Sequence, residues 1–134
     1  MMSSMSFFLP MKKIPTVTHQ QKKVSVVKGK PVFYEEDDLK AARSKFMAML
    51  GQKAPSDKFK GPIRLTTWWC FPVTKNKSDG EYKVTKPDTD NLVKLFKDCM
   101  TAVGFWKDDA EVASEVIEKY HADIVGIWVK VEEL

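Results

Sequence analysis

The sequence predicts a single α+β domain in which a mixed or antiparallel β-sheet packs against two main α-helices. Its length of 134 residues fits one domain with a core of its own. Two stretches carry apolar residues every three or four positions, as amphipathic helices do. Several other runs are rich in β-branched and aromatic residues, which favour strands.

The first third of the chain predicts three strands and a helix. Ser6–Leu9 is a short apolar run that Pro10 interrupts, and Val24–Val27 and Val32–Tyr34 flank a glycine-containing turn typical of a hairpin. The acidic run Glu35–Asp38 opens the first helix, because negative charge stabilises a helix N-terminus. The apolar stripe of this helix, which ends at Gly51, consists of Leu39, Ala42, Phe46, Met49 and Leu50.

Three further segments alternate apolar and polar residues. Ile63–Phe71 is the strongest strand, and tryptophans on both of its faces predict a central position or cover on both sides. We interpret these tryptophans as core residues rather than as platforms for stacked bases. Residues 112–120 alternate like a strand, but their Ala and Glu content also favours a helix, so the pattern leaves both open. Ile124–Val131 is rich in β-branched residues and predicts the last strand.

The second helix lies inside the most informative stretch of the chain, Lys86–Glu111. Pro87 excludes an earlier start, and Gly104 is a natural stop because it tolerates a left-handed backbone. Asp88 or Asp90 can cap the free N–H groups at its start. The spacing of its apolar residues predicts one buried face, made of Leu92, Leu95, Phe96, Cys99, Met100 and Val103.

Charge is distributed unevenly along the chain. The net charge is +4, but residues 1–86 carry 17 Lys and Arg against 7 Asp and Glu, whereas residues 87–134 carry 5 against 11. A basic portion joined to an acidic one suits an enzyme that holds a polyanion. The two cysteines are too few for a disulfide framework, and no run reaches the roughly 18 apolar residues of a membrane helix. We therefore expect a cytoplasmic protein that does not enter the membrane.

Carboxylates stand at both ends of the second helix. Asp88 and Asp90 lie at its start, and Asp108 and Asp109 follow its end. One Asp at a helix start is usually a cap, but two acidic clusters that meet repel each other unless a cation lies between them. Such oxygen ligands favour Mg²⁺ or Mn²⁺. The helix is about 20 Å long. The two acidic clusters can therefore meet within one chain only if the segment that follows the helix runs back nearly straight toward the helix start. The alternative is a site that is shared between the two chains of a dimer.

The motif KPDTDNLVKLFKD followed by GFWKDDAEV resembles the signature of the RusA family of Holliday-junction resolvases. The positions that carry the resemblance are Asp88, Asp90, Asn91, Lys94, Asp98, Asp108 and Asp109. The resemblance implies one RusA-like domain over residues 1–134, with a basic portion 1–86, an acidic catalytic motif 87–111 and strands over 112–134. It therefore favours a strand for residues 112–120.

The same resemblance implies a homodimeric, Mg²⁺-dependent endonuclease, in which Mn²⁺ can replace Mg²⁺. Its partner is branched DNA: it resolves four-way junctions by paired phosphodiester hydrolysis, in recombination, repair or phage DNA processing. Asp88, Asp90 and Asp109 are expected to bind the metal, with Asp108 as an auxiliary ligand. Lys94 is expected to offset charge in the transition state, although its spacing also fits an ordinary ion pair on the helix surface.

Seven lysines are expected to hold the DNA backbone: Lys12, Lys13, Lys22, Lys23, Lys75, Lys77 and Lys86. The first four flank the polar segment Thr18–Gln21, and the last three precede the acidic motif. Ammonium, hydroxyl and amide groups all bind phosphate oxygens. For the N-terminal segment, a plain surface loop is an equal alternative.

Two other functions stay open from the sequence. One is a junction-binding module that has lost catalysis, which the presence of every expected metal ligand disfavours. The other is a different Mg²⁺-dependent phosphoester hydrolase. Such enzymes place Asp-x-Asp after an apolar strand, whereas lysines and Pro87 precede it here.

Overall fold

A mixed β-sheet with two helices on one face organises the protein. The computed structural model describes residues 3–16, 22–27, 30–35 and 37–134, with side chains described for 3–16 and 37–134. The strands are β1 (Ser4–Pro10), β2 (Lys22–Val27), β3 (Lys30–Glu35), β4 (Ile63–Pro72), β5 (Val112–Ala122) and β6 (Gly126–Glu133). The helices are α1 (Asp37–Gly51) and α2 (Thr89–Val103), and a short 3₁₀ turn spans Asp109–Glu111. The predicted α+β class and the predicted order of elements are confirmed.

The main sheet has four strands in the order β1-β6-β4-β5, and β2 pairs with β3 in a separate antiparallel hairpin. β4 runs parallel to β5, whereas β6 runs antiparallel to both β1 and β4. A parallel pair needs a crossover, and α2 lies in the connection between β4 and β5. Residues 112–120 are therefore a strand, because pairing along β4 outweighs the helix propensity of Ala and Glu.

The core lies between the sheet and the helices. The inward face of β4, including Ile63, Leu65 and Trp69, is fully buried. The ring centroid of Trp69 lies 6.4 Å from that of Phe46 in α1 and 5.3 Å from that of Phe96 in α2. These edge-to-face contacts join both helices to the sheet and so fix the position of α2.

The opposite face of the sheet is more open. β4 is a central strand, as predicted, but Trp68 on its outward face remains 38% exposed. β6 begins at Gly126, so the prediction of a strand from Ile124 was two residues early. Ile124 lies in the turn before β6 and is 70% exposed.

The ends of α2 follow the predicted signals. Gly104 has φ 99°, a left-handed conformation that glycine adopts readily, and its N–H donates to the carbonyl of Thr101. Asp88 occupies the N-cap position, but its side chain makes no capping hydrogen bond to the helix. None of the helices in the described part of the chain is long and apolar enough to cross a membrane.

Candidate active site

An open cavity of about 420 Å³ lies between α2 and β5. It is lined by Asp90, Val93, Lys94, Lys97, Asp98, Asp109, Glu115 and Ile117. Four of these side chains are carboxylates and two are lysines. The cavity therefore gathers acidic groups from the helix, from the 3₁₀ turn and from the following strand.

The helical repeat places the α2 residues of this cavity. Asp90, Lys94 and Asp98 are spaced four residues apart, so they share one face of the helix. The buried residues on the rest of α2, such as Leu95 and Phe96, pack into the core and hold that face toward β5. Lys94 therefore faces the same side of α2 as Asp90 does.

Two aromatic residues fix the path of the segment that leads from the end of α2 to Asp109. Phe105 and Trp106 are both fully buried directly after the helix ends. The N–H of Phe105 donates to the carbonyl of Met100, and the indole of Trp106 donates to the hydroxyl of Thr101 at 2.7 Å. These anchors fold the chain back sharply, so Asp109 lines the same cavity as Asp90 within one protomer.

Asp108 has a local structural role beside Asp109. It precedes the 3₁₀ turn, and its carboxylate accepts a hydrogen bond from the backbone N–H of Ala110 at 2.9 Å. This capping bond satisfies an N–H group that the turn leaves free. The bond also holds the orientation of the turn that presents Asp109.

Asp88 lies in a neighbouring cavity rather than in that of Asp90. Its carboxylate is 3.2 Å from the ammonium group of Lys86, in an exposed ion pair. The cavity beside it has a volume of about 490 Å³ and is lined by Thr16, Phe71, Lys83, Lys86, Pro87, Asp88 and Asn91. The expected metal ligands are thus divided: Asp90 and Asp109 share one cavity, and Asp88 faces the next.

The carboxylates are chemically suited to a hard divalent cation, although they are not drawn tightly together. Within residues 3–16 and 37–134, no group of three or more His, Cys, Asp or Glu side chains converges closely enough to hold a metal ion. Mg²⁺ commonly uses one or two protein carboxylates and keeps several waters. Asp90 and Asp109 facing one open cavity fit that requirement.

Sequence reasoning missed both members of an ion pair that lines the cavity. Lys97 in α2 and Glu115 in β5 form an ion pair at 3.1 Å, with side chains only 24% and 25% exposed. Glu115 is in phase with Ile117 along β5, and this alternation is visible in the sequence. This alternation would have indicated that Glu115 lines the cavity only if the position of β5 beside α2 had been known.

Lys119 supports the segment that leads into α2. Its ammonium group donates to the carbonyl of Thr85 at 2.7 Å and to that of Pro87 at 2.8 Å. Lys119 lies on β5, so these bonds tie the start of α2 to the strand that follows Asp109. Strand β5 is therefore connected to both acidic clusters: through Lys119 to the segment before Asp88 and Asp90, and through the chain itself to Asp108 and Asp109.

Four of the lysines expected to bind DNA lie at the surface, and a fifth is partly exposed. Lys12, Lys13, Lys75 and Lys86 are exposed, and Lys77 is partly exposed. The side chains of Lys22 and Lys23 lie outside the described residues, as does the whole segment 18–21.

A basic groove links part of this set to the acidic motif. Thr16 lines both the cavity beside Asp88 and a second one that includes Lys13 and Lys45. We call the surface of these two adjoining cavities the basic groove; its four lysines, Lys13, Lys45, Lys83 and Lys86, outnumber its two carboxylates, Asp38 and Asp88. Lys45 was not predicted, because its proximity to Lys13 depends on how α1 packs.

Comparison with known proteins identifies the family of the chain. The family model for endodeoxyribonuclease RusA matches residues 13–132. The chain is also 28% identical over 130 residues to a protein named crossover junction endodeoxyribonuclease rusA from Lactococcus phage r1t, an alignment that covers 96% of this chain and 97% of that protein. The match includes the helix, the turn and the strand that build the cavity. This chain therefore belongs to the RusA family of endodeoxyribonucleases.

Proposed function

We propose that this protein is a Mg²⁺-dependent endonuclease that resolves four-way DNA junctions by paired phosphodiester hydrolysis. It acts as a homodimer, in DNA recombination, repair or phage DNA processing. The observation that carries this proposal is the shared cavity of Asp90 and Asp109, with Lys94 beside them. Membership of the RusA family supports the choice of DNA as substrate, and the name of the phage relative supports the choice of a crossover junction.

Asp90 and Asp109 would hold the metal ion, with Asp88 and Asp108 as further ligands. A bound Mg²⁺ supplies a water of lowered pKa and neutralises charge on the phosphate. For Asp88 to take part, it must leave Lys86. That ion pair is weak, because side chains that are 86% and 52% exposed interact through water.

Lys94 supplies a positive charge at the same cavity. Hydrolysis joins a water oxygen to phosphorus and breaks one P–O bond, and negative charge accumulates on the phosphoryl oxygens during this change. An ammonium group already in place stabilises that charge without reorganisation. Lys94 is exposed, so it can approach a phosphate that enters from solvent.

The basic groove would hold the DNA backbone beside the cavity. Its lysines attract phosphates whatever the base sequence, which suits recognition of a branched shape. Lys83 and Lys86 come directly before the acidic motif, so a strand in the groove would pass the start of α2. A four-way junction has two-fold symmetry, and a two-fold dimer would supply one cavity for each of two nicks.

The experiment is to incubate the purified protein with a labelled synthetic four-way junction and with a matched linear duplex, in Mg²⁺ and in EDTA. We expect paired nicks on the junction in Mg²⁺ alone. Binding without cutting in either Mg²⁺ or Mn²⁺ would instead indicate a junction-binding module. Hydrolysis of a simple chromogenic phosphate ester, without cleavage of the junction, would indicate a different phosphoester hydrolase.

A further inference from the structure

The side chain of Lys119 reaches from strand β5 to the segment that precedes α2 and binds two of its carbonyl groups. The ammonium nitrogen lies 2.7 Å from the carbonyl oxygen of Thr85 and 2.8 Å from that of Pro87. These two carbonyls flank Lys86 and come directly before Asp88. A hydrogen bond from a charged donor is stronger than one between neutral groups, so this single ammonium group restrains both peptide units.

Backbone hydrogen bonds attach the preceding part of the chain to β5 but end before α2. The N–H of Gly80 donates to the carbonyl of His121, the N–H of His121 donates to the carbonyl of Glu81, and the N–H of Lys83 donates to the carbonyl of Lys119. We call residues 84–88 the entry segment. In the described part of the chain, the hydrogen bonds from β5 to the entry segment come from the Lys119 side chain alone.

The carboxylate of Asp88 does not fix the start of α2. Asp88 occupies the N-cap position, where an Asp side chain ordinarily accepts a hydrogen bond from the first turn, but its carboxylate makes no such bond. Its backbone carbonyl still accepts from the N–H of Leu92 at 3.2 Å. Lys119 therefore holds the helix start through the backbone, and the Asp88 carboxylate is left in the groove.

Lys119 has no direct place in the proposed chemistry. It is partly buried, and it lines neither the cavity of Asp90 and Asp109 nor the basic groove. Two carbonyl oxygens already occupy its ammonium group. An effect of Lys119 on the reaction therefore passes through the entry segment, and the proposed metal ligand in that segment is Asp88.

We propose that Lys119 is a positioning residue for Asp88, because it fixes the entry segment and so leaves the Asp88 carboxylate available to a divalent cation. This inference rests on the proposed function, in which Asp88 is a further metal ligand. Groups that orient a metal ligand change metal affinity although they do not touch the ion. Because β5 also follows the turn that carries Asp109, one strand sets the placement of ligands from both ends of α2.

The test compares Lys119→Met with Lys119→Arg. Methionine keeps an apolar stem but has no donor, whereas the guanidinium of arginine can donate to both carbonyls. Calorimetric titration should give a Mg²⁺ dissociation constant about tenfold higher in Lys119→Met and close to the wild-type value in Lys119→Arg. Without metal, the amide hydrogen of Leu92 should exchange faster in Lys119→Met, while that of Phe105, beyond the other end of α2, should be unchanged.

A double-mutant cycle with Asp88→Asn distinguishes positioning from a general loss of stability. If Lys119 acts through Asp88, adding Lys119→Met to Asp88→Asn should leave the Mg²⁺ dissociation constant unchanged within about twofold. Ile127→Val is the matched control, because it shortens a fully buried side chain of β6; it should lower Tm and leave Mg²⁺ affinity unchanged. If circular dichroism shows that Lys119→Met does not fold, Lys119→Gln, which keeps an amide donor, takes its place in the cycle.

Unchanged Mg²⁺ affinity in folded Lys119→Met, or an equal loss with and without the Asp88 carboxylate, would overturn the proposal. Weaker junction binding by Lys119→Met in EDTA would assign Lys119 to DNA instead. Junction cleavage is assayed separately on the wild type. A wild type that binds Mg²⁺ but does not cut would reject the proposed function alone, whereas a wild type that cuts, with normal Mg²⁺ binding by Lys119→Met, would reject this inference alone.

Discussion

The ammonium group of Lys97 lies 3.1 Å from the carboxylate of Glu115, and this ion pair bridges α2 and β5 across the candidate active-site cavity. α2 carries Asp90, and β5 follows the turn that carries Asp109. The pair therefore ties together the two elements that present the proposed metal ligands. Its partial burial makes it less screened than the exposed pair of Lys86 and Asp88.

Removing either partner of this pair should weaken Mg²⁺ binding several-fold, because the spacing between Asp90 and Asp109 is no longer held. The loss of unfolding free energy should be modest, at about 0.2–1 kcal/mol, since the pair is still partly in water. Lys97→Met and Glu115→Gln are compared by calorimetric titration of Mg²⁺ and by urea denaturation.

The two substitutions separate spacing from simple electrostatics. If only charge mattered, losing the lysine would strengthen Mg²⁺ binding and losing the carboxylate would weaken it. A weakening in both supports the role in spacing. Lys130→Met is the matched control, because its pair with Glu132 lies on the opposite face of the sheet.

Lys94→Met should lower kcat by about 100-fold and leave KM for the junction nearly unchanged. An interaction made mainly with charge that develops in the transition state affects kcat rather than binding. Single-turnover cleavage at saturating protein measures the rate, and a gel-shift titration measures affinity. A rise in KM with an unchanged kcat would assign Lys94 to DNA binding alone. Lys40→Met, an exposed lysine of α1, is the control.

Lys83→Ala combined with Lys86→Ala should weaken junction binding and reduce its dependence on salt. Each lost phosphate contact lowers the slope of log affinity against log salt by about 0.9. The loss should be similar for junctions of different sequence, because backbone contacts carry no base information. Binding titrations at several salt concentrations give the slope; an unchanged slope would place the DNA elsewhere.

Glu133 should make stability depend on pH in the acidic range. Hydrogen bonds from the backbone N–H groups of Lys60 and Ser3 lower the pKa of this carboxyl below its ordinary value of 4.5. A lowered pKa in the folded state means that the stabilisation is fully present above the unfolded pKa. It is lost as the pH falls through the folded pKa.

The check is thermal unfolding of the wild type and Glu133→Gln from pH 3 to pH 7. The difference in Tm should be largest above about pH 5 and should shrink as the pH is lowered. Asp57→Asn, at an exposed carboxylate, provides the comparison. A Tm difference that grows toward acid would contradict the assignment.

The limits of α2 could be predicted from sequence because its signals are local. Pro87 and Gly104 bracket it, and its apolar residues repeat at helical spacing. The position of Asp109 depends instead on where Phe105 and Trp106 bury themselves, and that requires a finished core. The sequence therefore predicted both acidic clusters but left open whether one chain brings them together.

Strand β5 shows the same division between local and tertiary information. Its Ala and Glu content favours a helix, and only its pairing with β4 makes it a strand. The Lys97–Glu115 pair could not be predicted for that reason. The sequence also did not predict that Asp88 and Asp90 line different cavities. The directions of two side chains that are two residues apart at a helix start depend on the local backbone conformation.

Asp90→Asn and Asp109→Asn should each abolish cleavage while the fold and junction binding remain. Asparagine preserves the size of the side chain but removes the negative charge that a divalent cation needs. The expected loss is at least about a thousandfold, comparable to the removal of other groups that stabilise transition-state charge. Asp123→Asn, in the turn after β5, serves as the matched control. Normal cutting by Asp90→Asn would show that the metal assignment is wrong.

The most direct test of the central arrangement is to co-express Asp90→Asn with Asp109→Asn and measure junction cleavage by the mixed dimers. Asp90 and Asp109 line one cavity within a single chain, so every site in the mixture carries one defect. We predict that the mixture is as inactive as either variant alone. A site shared between protomers would instead leave one intact copy in each mixed dimer. Recovery of single-strand nicking to a substantial fraction of the wild-type rate would contradict the account.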